Sequence, residues 1–461
     1  LWLDAFATCS RSPPKPLRAE VQSGTDILKS LEQYGVRLGL ETTHRLLAAQ
    51  GHPERQFPAV LIAGTNGKGS TAAFLASMGT CAGYRTGLYT SPHLEEVEER
   101  IRIDGHAISK EELSSSLGHL VTVAERALGH LPTYFEALTA VAFSHFAAQE
   151  VDLAILEVGM GGRLDATNAT EPVLSLITEI GLEHRQHLGE NLDSIAREKA
   201  GILRTGKPAV AWVERPESKR AIQEVAAAVE ADLRLGPETT RLEIVEDRGW
   251  DGQQVHLQTA EDRYRLSLLL GGHHQANNAA LAVLGAEILA QRGWGGLSRD
   301  AIVAGAGGSR WPGRLERVDL PGGRSVLLDV AHNPDGAAAL ARFLSRRELT
   351  YDLLFGVLAD KDVGEILPVL AEGARRVILT SPDSHRALPP EEIERLVPTD
   401  RVVVESAAAP ALDRALAGDD ELLVVCGSIY LVGEVRGLLR HRFGAPPPAV
   451  SDLGVSHQRA S

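Results

Sequence analysis

The feature that most constrains this chain is a set of short strand-like runs that are apolar almost throughout. Residues 58–64 (PAVLIAG) and 151–159 (VDLAILEVG) are examples, and Ala-rich helical runs separate such segments. Strands without polar alternation are typical of a parallel sheet that helices cover on both faces. The sequence therefore predicts an α/β fold. The predicted strands are residues 58–64, 85–91, 151–159, 173–181 and 207–213, then 325–330, 353–358, 376–381, 401–406 and 421–427.

Between the two groups of strands the pattern changes. Residues 241–268 alternate polar and apolar side chains, which predicts an antiparallel patch at the edge of the first domain, and residues 273–293 predict a helix. Residues 304–314 (AGAGGSRWPGR) concentrate Gly and Pro and are interpreted as a linker. We expect two domains, a larger one with a mostly parallel sheet and a smaller Rossmann-like one, with disordered tails on either side. The predicted bounds are 21–308 and 312–442 for the domains and 1–20 and 443–461 for the tails.

Charge and composition exclude several classes of protein. The chain has 47 Lys and Arg against 61 Asp and Glu, a net charge of −14, which disfavours nucleic acid as a partner. Cys9, Cys81 and Cys426 form no metal or disulfide pattern, which suits a reducing compartment. No apolar run approaches the roughly 18 residues of a membrane span, and the first residues do not resemble a signal peptide. We therefore expect a cytoplasmic protein without a membrane partner.

Residues 64–70 (GTNGKGS) lie between a predicted strand and a predicted helix, which is the context of a phosphate-binding loop. Glycines let several backbone N–H groups converge on one anion, and the helix N-terminus adds its partial positive charge. Lys68 offers a mobile charge, and Ser70 offers a hydroxyl group to phosphate or metal. The spacing departs from the usual G-x-x-x-x-G-K-[ST], so a simple turn, a switch, a kinase and a ligase stay open. The absence of an N-K-x-D string argues against a GTPase.

Polar side chains follow three of the predicted strands. Glu157 ends one strand, His184 follows the next, and Ser91 ends a third. Ligands of open α/β sheets bind at the carboxyl ends of strands, so these residues are expected near the phosphate loop. Mg²⁺ beside a triphosphate takes one or two protein ligands, and these three would suit it. A salt bridge for Glu157 and a hydrogen-bonded loop position for His184 are the alternatives.

Lys199 lies in the last turn of an amphipathic helix, residues 191–203, that is expected to stop at Gly201. A cation there is stabilised by the helix dipole, which is explanation enough for its presence. The alternative is a lysine directed into the site. Its neutral amine would react with CO₂ and form a carbamate that binds metal.

Ten ordered strings between about residues 24 and 440 resemble the Mur-ligase superfamily of ATP-dependent amide-bond ligases. Within it they resemble the folylpolyglutamate synthases, in the bacterial form that is also a dihydrofolate synthase. The strings are YGVRLGLETTHRLL, AGTNGKGS, TSPHLEEVEERI, TYFEALTAVAF, LEVGMGGRLDATN, ITEIGLEHRQHLGENLDSIAREKAGI, GGHHQANNAALA, WPGRLE, LDVAHNPDGA and CGSIYLVGEV.

The resemblance implies a ligase that holds ATP and Mg²⁺ between an ATP-binding first domain and a glutamate-ligase second domain. Lys68, a carbamylated Lys199 and His332 would be catalytic, and Ser91, Glu157 and His184 would bind the metal. The implied ATP-binding residues are Gly64, Asn66, Gly67, Lys68, Gly69, Ser70, Asn278, Arg314 and Asp329. The implied pteroate pocket is Leu38, Gly39, Leu40, Thr133, Tyr134, Phe135, Glu136, Leu164, Asp165 and Ala166. His332 and Ser428 would receive glutamate.

The implied reaction begins with attack of a dihydropteroate or folate carboxylate on the γ-phosphate of ATP. The resulting acyl phosphate then reacts with the amine of L-glutamate, giving dihydrofolate or folylpolyglutamates. The expected partners are these small molecules, and the expected state is a monomer. Two alternatives stay open, a cell-wall UDP-MurNAc amino-acid ligase of the same superfamily and a non-enzymatic ATP-binding switch. The cell-wall reading is disfavoured because only 63 residues precede Gly64.

Two features depart from the expected pattern. Gln275 stands where the cell-wall relatives carry Asn, which suits the folate branch. The segment after Ser91 is acidic, with Glu95, Glu96, Glu98 and Glu99, which is unexpected beside a polyanion. It is interpreted as a solvated loop.

Overall fold

A computed structural model describes residues 23–35, 37–396, 401–418 and 421–444. The predicted tails lie outside these residues, except for Phe443, which ends the last helix, and Gly444, which caps it. Among the described residues, no helix combines the length and the apolar character needed to cross a bilayer.

The first domain is built on an eight-stranded sheet of order β4-β3-β2-β5-β1-β6-β7-β8. Neighbouring strands are parallel except at one edge, where β3 pairs antiparallel with β2 and β4. This confirms the prediction of a mostly parallel sheet. The strands are β1 Ala59–Ala63, β2 Thr86–Tyr89, β3 Ile101–Ile103, β4 His106–Ala107, β5 Leu153–Glu157, β6 Pro172–Ile177, β7 Pro208–Ala211 and β8 Asp232–Leu235.

Helices cover both faces of this sheet. Alternate residues of β1 enter two different cores, because Leu61 packs on one face and Val60 and Ile62 pack on the other. Burial on both faces is the reason that the central strand carries no polar side chain. The helices are α1 Gly24–Glu32, α2 Glu41–Ala49, α3 Lys68–Cys81, α4 Lys110–Leu128, α5 Tyr134–Ala148, α6 Arg185–Leu188, α7 Leu192–Ala200, α8 Pro216–Ala228 and α9 Gly236–Thr239.

The alternating segment forms an antiparallel sheet of its own, with β9 Arg241–Asp247, β10 Gln253–Gln258 and β11 Arg263–Leu268. The antiparallel prediction is confirmed, although these strands do not join the edge of the main sheet. Leu257 and Leu266 instead pack into the core on one face of it. Two helices follow, α10 His273–Gln291 and α11 Arg299–Gly308.

The predicted linker is wrong over residues 304–308, which belong to α11. A Cβ atom on Gly305 would lie 2.4 Å from Cα of Met78 in α3. The glycine is therefore there for close helix packing rather than for flexibility. The connection between the domains is the shorter segment 309–315.

The second domain has a six-stranded sheet of order β12-β13-β17-β14-β15-β16, parallel except for β12. Helices lie on both faces, which confirms the prediction of a second α/β domain. The strands are β12 Glu316–Asp319, β13 Ser325–Leu328, β14 Tyr351–Phe355, β15 Ala374–Leu379, β16 Val402–Val404 and β17 Leu422–Cys426, and the helices are α12 Pro334–Ser345, α13 Val363–Ala371, α14 Pro390–Leu396, α15 Ala408–Leu416 and α16 Ile429–Phe443.

The acidic segment after Ser91 joins the two domains, so its interpretation as a solvated loop is wrong. The Glu95 side chain is only 7% exposed and forms ion pairs with Arg436 and, at 2.7 Å, with Arg440 of α16. Leu94 packs against the core of the second domain. The partners of Glu95 come from a distant helix, which local composition does not reveal.

Candidate active site

The phosphate loop is shaped by two glycines with positive φ. Gly64 has φ 145° and Gly67 has φ 91°, and a Cβ atom on Gly67 would lie 2.2 Å from Oδ1 of Asn278. Gly67 also starts α3 without a side-chain cap, which leaves the N-terminal N–H groups of the helix to a ligand. The buried Ser70 hydroxyl has no hydrogen-bond partner. The loop therefore has the conformation and the free hydrogen-bond donors that an anion-binding site requires.

The three predicted metal ligands converge on this loop. Ser91 follows β2 and Glu157 ends β5, and the backbone N–H of Ser91 donates to Glu157 Oε2 at 3.0 Å. Burial raises the pKa of Glu157, although the nearby charge of Lys68 opposes the shift. Burial, with the charge of Lys361, lowers the pKa of His184 to about 4, although Glu183 opposes the shift. A neutral imidazole is the form that binds metal.

These donors fit Mg²⁺. The described residues contain no group of three His, Cys, Asp or Glu side chains placed to hold a metal ion. Mg²⁺ does not need one, since it is usually held by one or two carboxylates, substrate phosphates and water. Glu157 would supply the carboxylate, and the Ser70 hydroxyl, which has no hydrogen-bond partner, belongs to the phosphate loop.

Lys199 is in the last turn of α7, as predicted, and its side chain points inward. The residue is 2% exposed, and Nζ donates to the carbonyl oxygen of Gly64 at 2.6 Å. Burial and the charge of Lys68 lower the pKa of Lys199 to about 7. A substantial fraction of the amine is therefore neutral near pH 7, which is what carbamate formation requires.

Glu183 was missed by the sequence reasoning. Its side chain is 9% exposed, and Oε1 lies 3.5 Å from Nε2 of His184 and 3.6 Å from Nε2 of His332. A carboxylate directly before His184 was the only local signal. His332 belongs to the second domain, so the contact could not be read from sequence spacing.

The second domain contributes the opposite wall. Asp329 accepts from the backbone N–H groups of Leu315 and Ala331 at 2.9 Å each. Burial lowers the pKa of Arg314, which the charge of Asp329 counteracts. Ser428 caps α16.

Two connected cavities of about 350 Å³ each lie between the domains and share Asn66, Gly67, Arg314 and His332. The first contains the predicted metal ligands and most of the predicted pteroate pocket, together with Lys68 and Gly69 of the predicted ATP site, and the second contains the remaining ATP-side residues that line a cavity. The first is lined by Leu38, Gly39, Lys68, Gly69, Ser91, Thr133, Phe135, Glu136, Glu157, Leu164, Asp165, Ala166, His184 and Ser428. The second is lined by Ser70, Asn278 and Asp329.

Four predicted residues do not line these cavities. Gly64 and Lys199 lie beneath the phosphate loop and contact each other. Leu40 precedes α2 and lines a separate surface groove. Tyr134 is covered by Arg100, whose guanidinium carbon lies 5.2 Å from the centre of the ring. Leu40 and Tyr134 are therefore placed to support the pocket from outside it.

Known proteins share this arrangement. The Mur ligase middle domain matches residues 62–286, and the Mur ligase glutamate ligase domain matches residues 313–429. The Bacillus subtilis dihydrofolate synthase/folylpolyglutamate synthase is 35% identical over 424 residues, which cover 88% of this chain and 96% of that protein.

Solved structures agree with the sequence relatives. Escherichia coli FolC in complex with DHPP and ADP superposes with a TM-score of 0.81 and 30% identity, covering 93% of this chain and 100% of that one. The Yersinia pestis bifunctional folylpolyglutamate synthase/dihydrofolate synthase, complexed with AMPPNP and Mn ion, superposes with a TM-score of 0.79 and 31% identity. The match covers 93% of this chain and 100% of that one. The chain belongs to the dihydrofolate synthase/folylpolyglutamate synthase family of Mur ligases.

Proposed function

We propose that this protein is an ATP-dependent ligase that joins L-glutamate to dihydropteroate, to the γ-carboxyl group of reduced folates, or to both. The observation that carries the proposal is the phosphate loop, which faces a cavity shared by both domains. The match to dihydrofolate synthase/folylpolyglutamate synthases extends over most of the chain, which favours the folate reaction over cell-wall synthesis. A switch without chemistry would need neither Glu157 nor the second domain at the same cleft.

ATP would occupy the second cavity, with its phosphates at the loop. Lys68 Nζ donates to the carbonyl oxygen of Thr65 at 3.0 Å and would exchange this bond for a phosphate oxygen. The N–H groups at the start of α3 would hold the other phosphate oxygens. Asn278, Arg314 and Asp329 would hold the nucleoside from α10, the connecting segment and the second domain.

The pteroate or folate acceptor would occupy the first cavity. Leu38, Phe135 and Leu164 supply apolar walls, and Asp165 is held in place by the backbone N–H of Met160 at 2.9 Å. The carboxylate of a bound acceptor would lie toward Lys68, which lines the same cavity. E. coli FolC, a structural neighbour, was solved in complex with DHPP and ADP.

The reaction would proceed in two steps. The acceptor carboxylate attacks the γ-phosphate and ADP leaves, so two anions must be brought together, and positioning and positive charge are the main requirements. The glutamate amine, once deprotonated, attacks the acyl carbon, and inorganic phosphate leaves as the amide forms. His332 and Ser428 would orient the glutamate. The closed position of the second domain would keep water from the acyl phosphate.

Magnesium would be held by Ser91, Glu157 and His184 and would supply charge neutralisation at the phosphates. Lys199, as a carbamate, would hold a second Mg²⁺ or position the phosphate acceptor. Its buried amine at the phosphate loop supports this assignment.

One incubation tests the proposal. The full chain is mixed with ATP, Mg²⁺ and labelled glutamate, with dihydropteroate in one sample and tetrahydrofolate in another, and products are identified by mass. We expect an amide product and stoichiometric ADP with at least one acceptor. ADP without amide product would favour a switch, and absence of product with both acceptors would refute the ligase.

A further inference from the structure

We propose that Glu183 is a positioning residue that holds His332 of the second domain in place for the amide-forming step. This inference rests on the proposed function. Glu183 lies in the segment between β6 and α6 of the first domain, whereas His332 lies just before α12 of the second. Their side chains meet within the cleft, with Glu183 Oε1 3.6 Å from His332 Nε2.

The hydrogen bonding of His332 defines what Glu183 can do. His332 Nδ1 lies 2.8 Å from the carbonyl oxygen of Val330. A carbonyl oxygen only accepts, so Nδ1 carries the hydrogen and Nε2 is the ring nitrogen left for the cleft. Glu183 faces that nitrogen. The ring is therefore placed by its own domain at one nitrogen and by the first domain at the other.

The contact with Glu183 is electrostatic. A separation of 3.6 Å is too long for a direct hydrogen bond but is within ion-pair range. A carboxylate attracts Nε2 only when that nitrogen also carries a hydrogen, so Glu183 acts on the positively charged ring with both nitrogens protonated and fixes its direction. The same carboxylate oxygen lies 3.5 Å from His184, so one side chain links the metal-site segment to the glutamate side of the cleft.

The two domains also meet at this point through other polar pairs. Asn333 Nδ2 donates to Asn66 Oδ1 at 2.9 Å, and Arg215 pairs with Asp335 at 2.5 Å. These contacts hold the backbone around His332 against the first domain. Glu183 instead faces the His332 ring, so we assign it to the orientation of the ring rather than to the position of the domain.

The consequence is specific to one step. In the proposed mechanism His332 orients the glutamate, so formation of the acyl phosphate from ATP and the acceptor does not require the His332 ring. The attack of glutamate on the acyl phosphate does need the His332 ring. Loss of the Glu183 charge should therefore weaken the use of glutamate and leave the first step nearly intact.

The test compares Glu183→Gln with the unmodified full chain in the presence of ATP, Mg²⁺ and tetrahydrofolate. We expect kcat/KM for glutamate to fall about tenfold or more through a higher KM for glutamate, with KM for ATP within about twofold. Hydroxylamine, which traps acyl phosphates without the glutamate site, should give hydroxamate at a rate within about twofold of the unmodified chain. An equal loss in both assays, or no loss in either, would overturn the proposal.

Control variants separate positioning from folding and from charge alone. Glu190→Gln removes a charge just after α6, at a side chain that is 76% exposed, and should leave all parameters unchanged. Glu183→Asp keeps the charge and should recover most of the glutamate affinity, and it replaces Glu183→Gln as the deciding variant if the latter does not fold. Failure of Glu183→Asp to recover affinity would count against the proposal.

A double-mutant cycle with His332→Ala completes the test. If Glu183 acts through His332, the loss from Glu183→Gln should vanish in the His332→Ala background, whereas additive losses would contradict the inference. Absence of any amide product from the unmodified chain would refute the proposed function instead, so the two failures are distinguishable.

Discussion

Lys199 Nζ lies 2.6 Å from the carbonyl oxygen of Gly64, so the last turn of α7 is joined directly to the first residue of the phosphate loop. The amine is buried beside Lys68, whose charge helps to lower its pKa to about 7. A lysine kept partly neutral and placed at an anion site is poised for reaction with CO₂. Burial of the Lys199 amine at the phosphate loop therefore also explains its lowered pKa.

The carbamate is expected to depend on pH in a defined direction. The pKa of Lys199 is about 7 in the folded chain, against a usual value of about 10.4. The neutral amine, and with it the carbamate, should increase as pH rises through 7 and disappear below it. Carbon NMR of protein in ¹³C-labelled bicarbonate measures this, with Lys199→Met as the control. A carbamate signal that survives in Lys199→Met would show that another amine carries it.

The same shift predicts an effect on stability. Between about pH 7 and 10.4 the unfolded chain binds a proton at Lys199 that the folded chain releases. The contribution of Lys199 to the free energy of unfolding should therefore rise with pH across that window and be constant below it. Urea unfolding at several pH values, compared with Lys199→Met, measures the difference. An identical pH slope in both proteins would contradict the lowered pKa.

Lys68→Ala should reduce kcat by more than about a hundredfold, because it removes a charge that stabilises the transferring phosphoryl group. Lys29→Ala, at an exposed position on α1, is the matched control and should be as active as the unmodified chain. Steady-state ADP release measures both. Near-normal turnover of Lys68→Ala would remove Lys68 from the catalytic residues.

Gly67→Ala should abolish tight ATP binding. Gly67 has φ 91°, and its added Cβ would lie 2.2 Å from Asn278 Oδ1, so both the loop and a nucleotide contact must shift. Gly83 also has a positive φ, 85°, but nothing lies within 4 Å of its Cβ position. Gly83→Ala should cost about 1–2 kcal/mol of stability and leave ATP affinity unchanged. Calorimetric titration with a non-hydrolysable ATP analogue distinguishes them, and equal affinities would contradict the assignment.

Gly433→Ala tests how the acidic segment joins the domains. A Cβ on Gly433 of α16 would lie 1.8 Å from the Leu94 carbonyl oxygen, whereas on Gly437 it would lie 3.5 Å from Glu95 Oε2. Alanine favours a helix by about 1 kcal/mol over glycine, so Gly437→Ala should be neutral or stabilising. Gly433→Ala should lower the unfolding midpoint and separate the domains, which thermal unfolding and small-angle scattering measure. Equal unfolding midpoints for the two variants would show that the segment at Leu94 shifts at little energetic cost.

The chain alone was sufficient to predict two α/β sheets and their central strands, but not the strand order or the edge strands. Apolar runs such as residues 59–63 are a direct result of burial on both faces, and burial is imposed on every residue of a central parallel strand. The phosphate loop was recognisable for a similar reason. Its glycines are required by backbone geometry that only a few residues determine.

What tertiary structure decided was the pairing of residues far apart in the chain. Gly305 was interpreted from the sequence as part of a linker, but it allows close packing of its helix against Met78. Glu95 was interpreted from the sequence as solvated, but in the structure it forms ion pairs with Arg436 and Arg440. Glu183 had no visible role until the second domain brought His332 to it. Local sequence encodes backbone conformation and burial, whereas the partner of a charge depends on which distant surface folds against it.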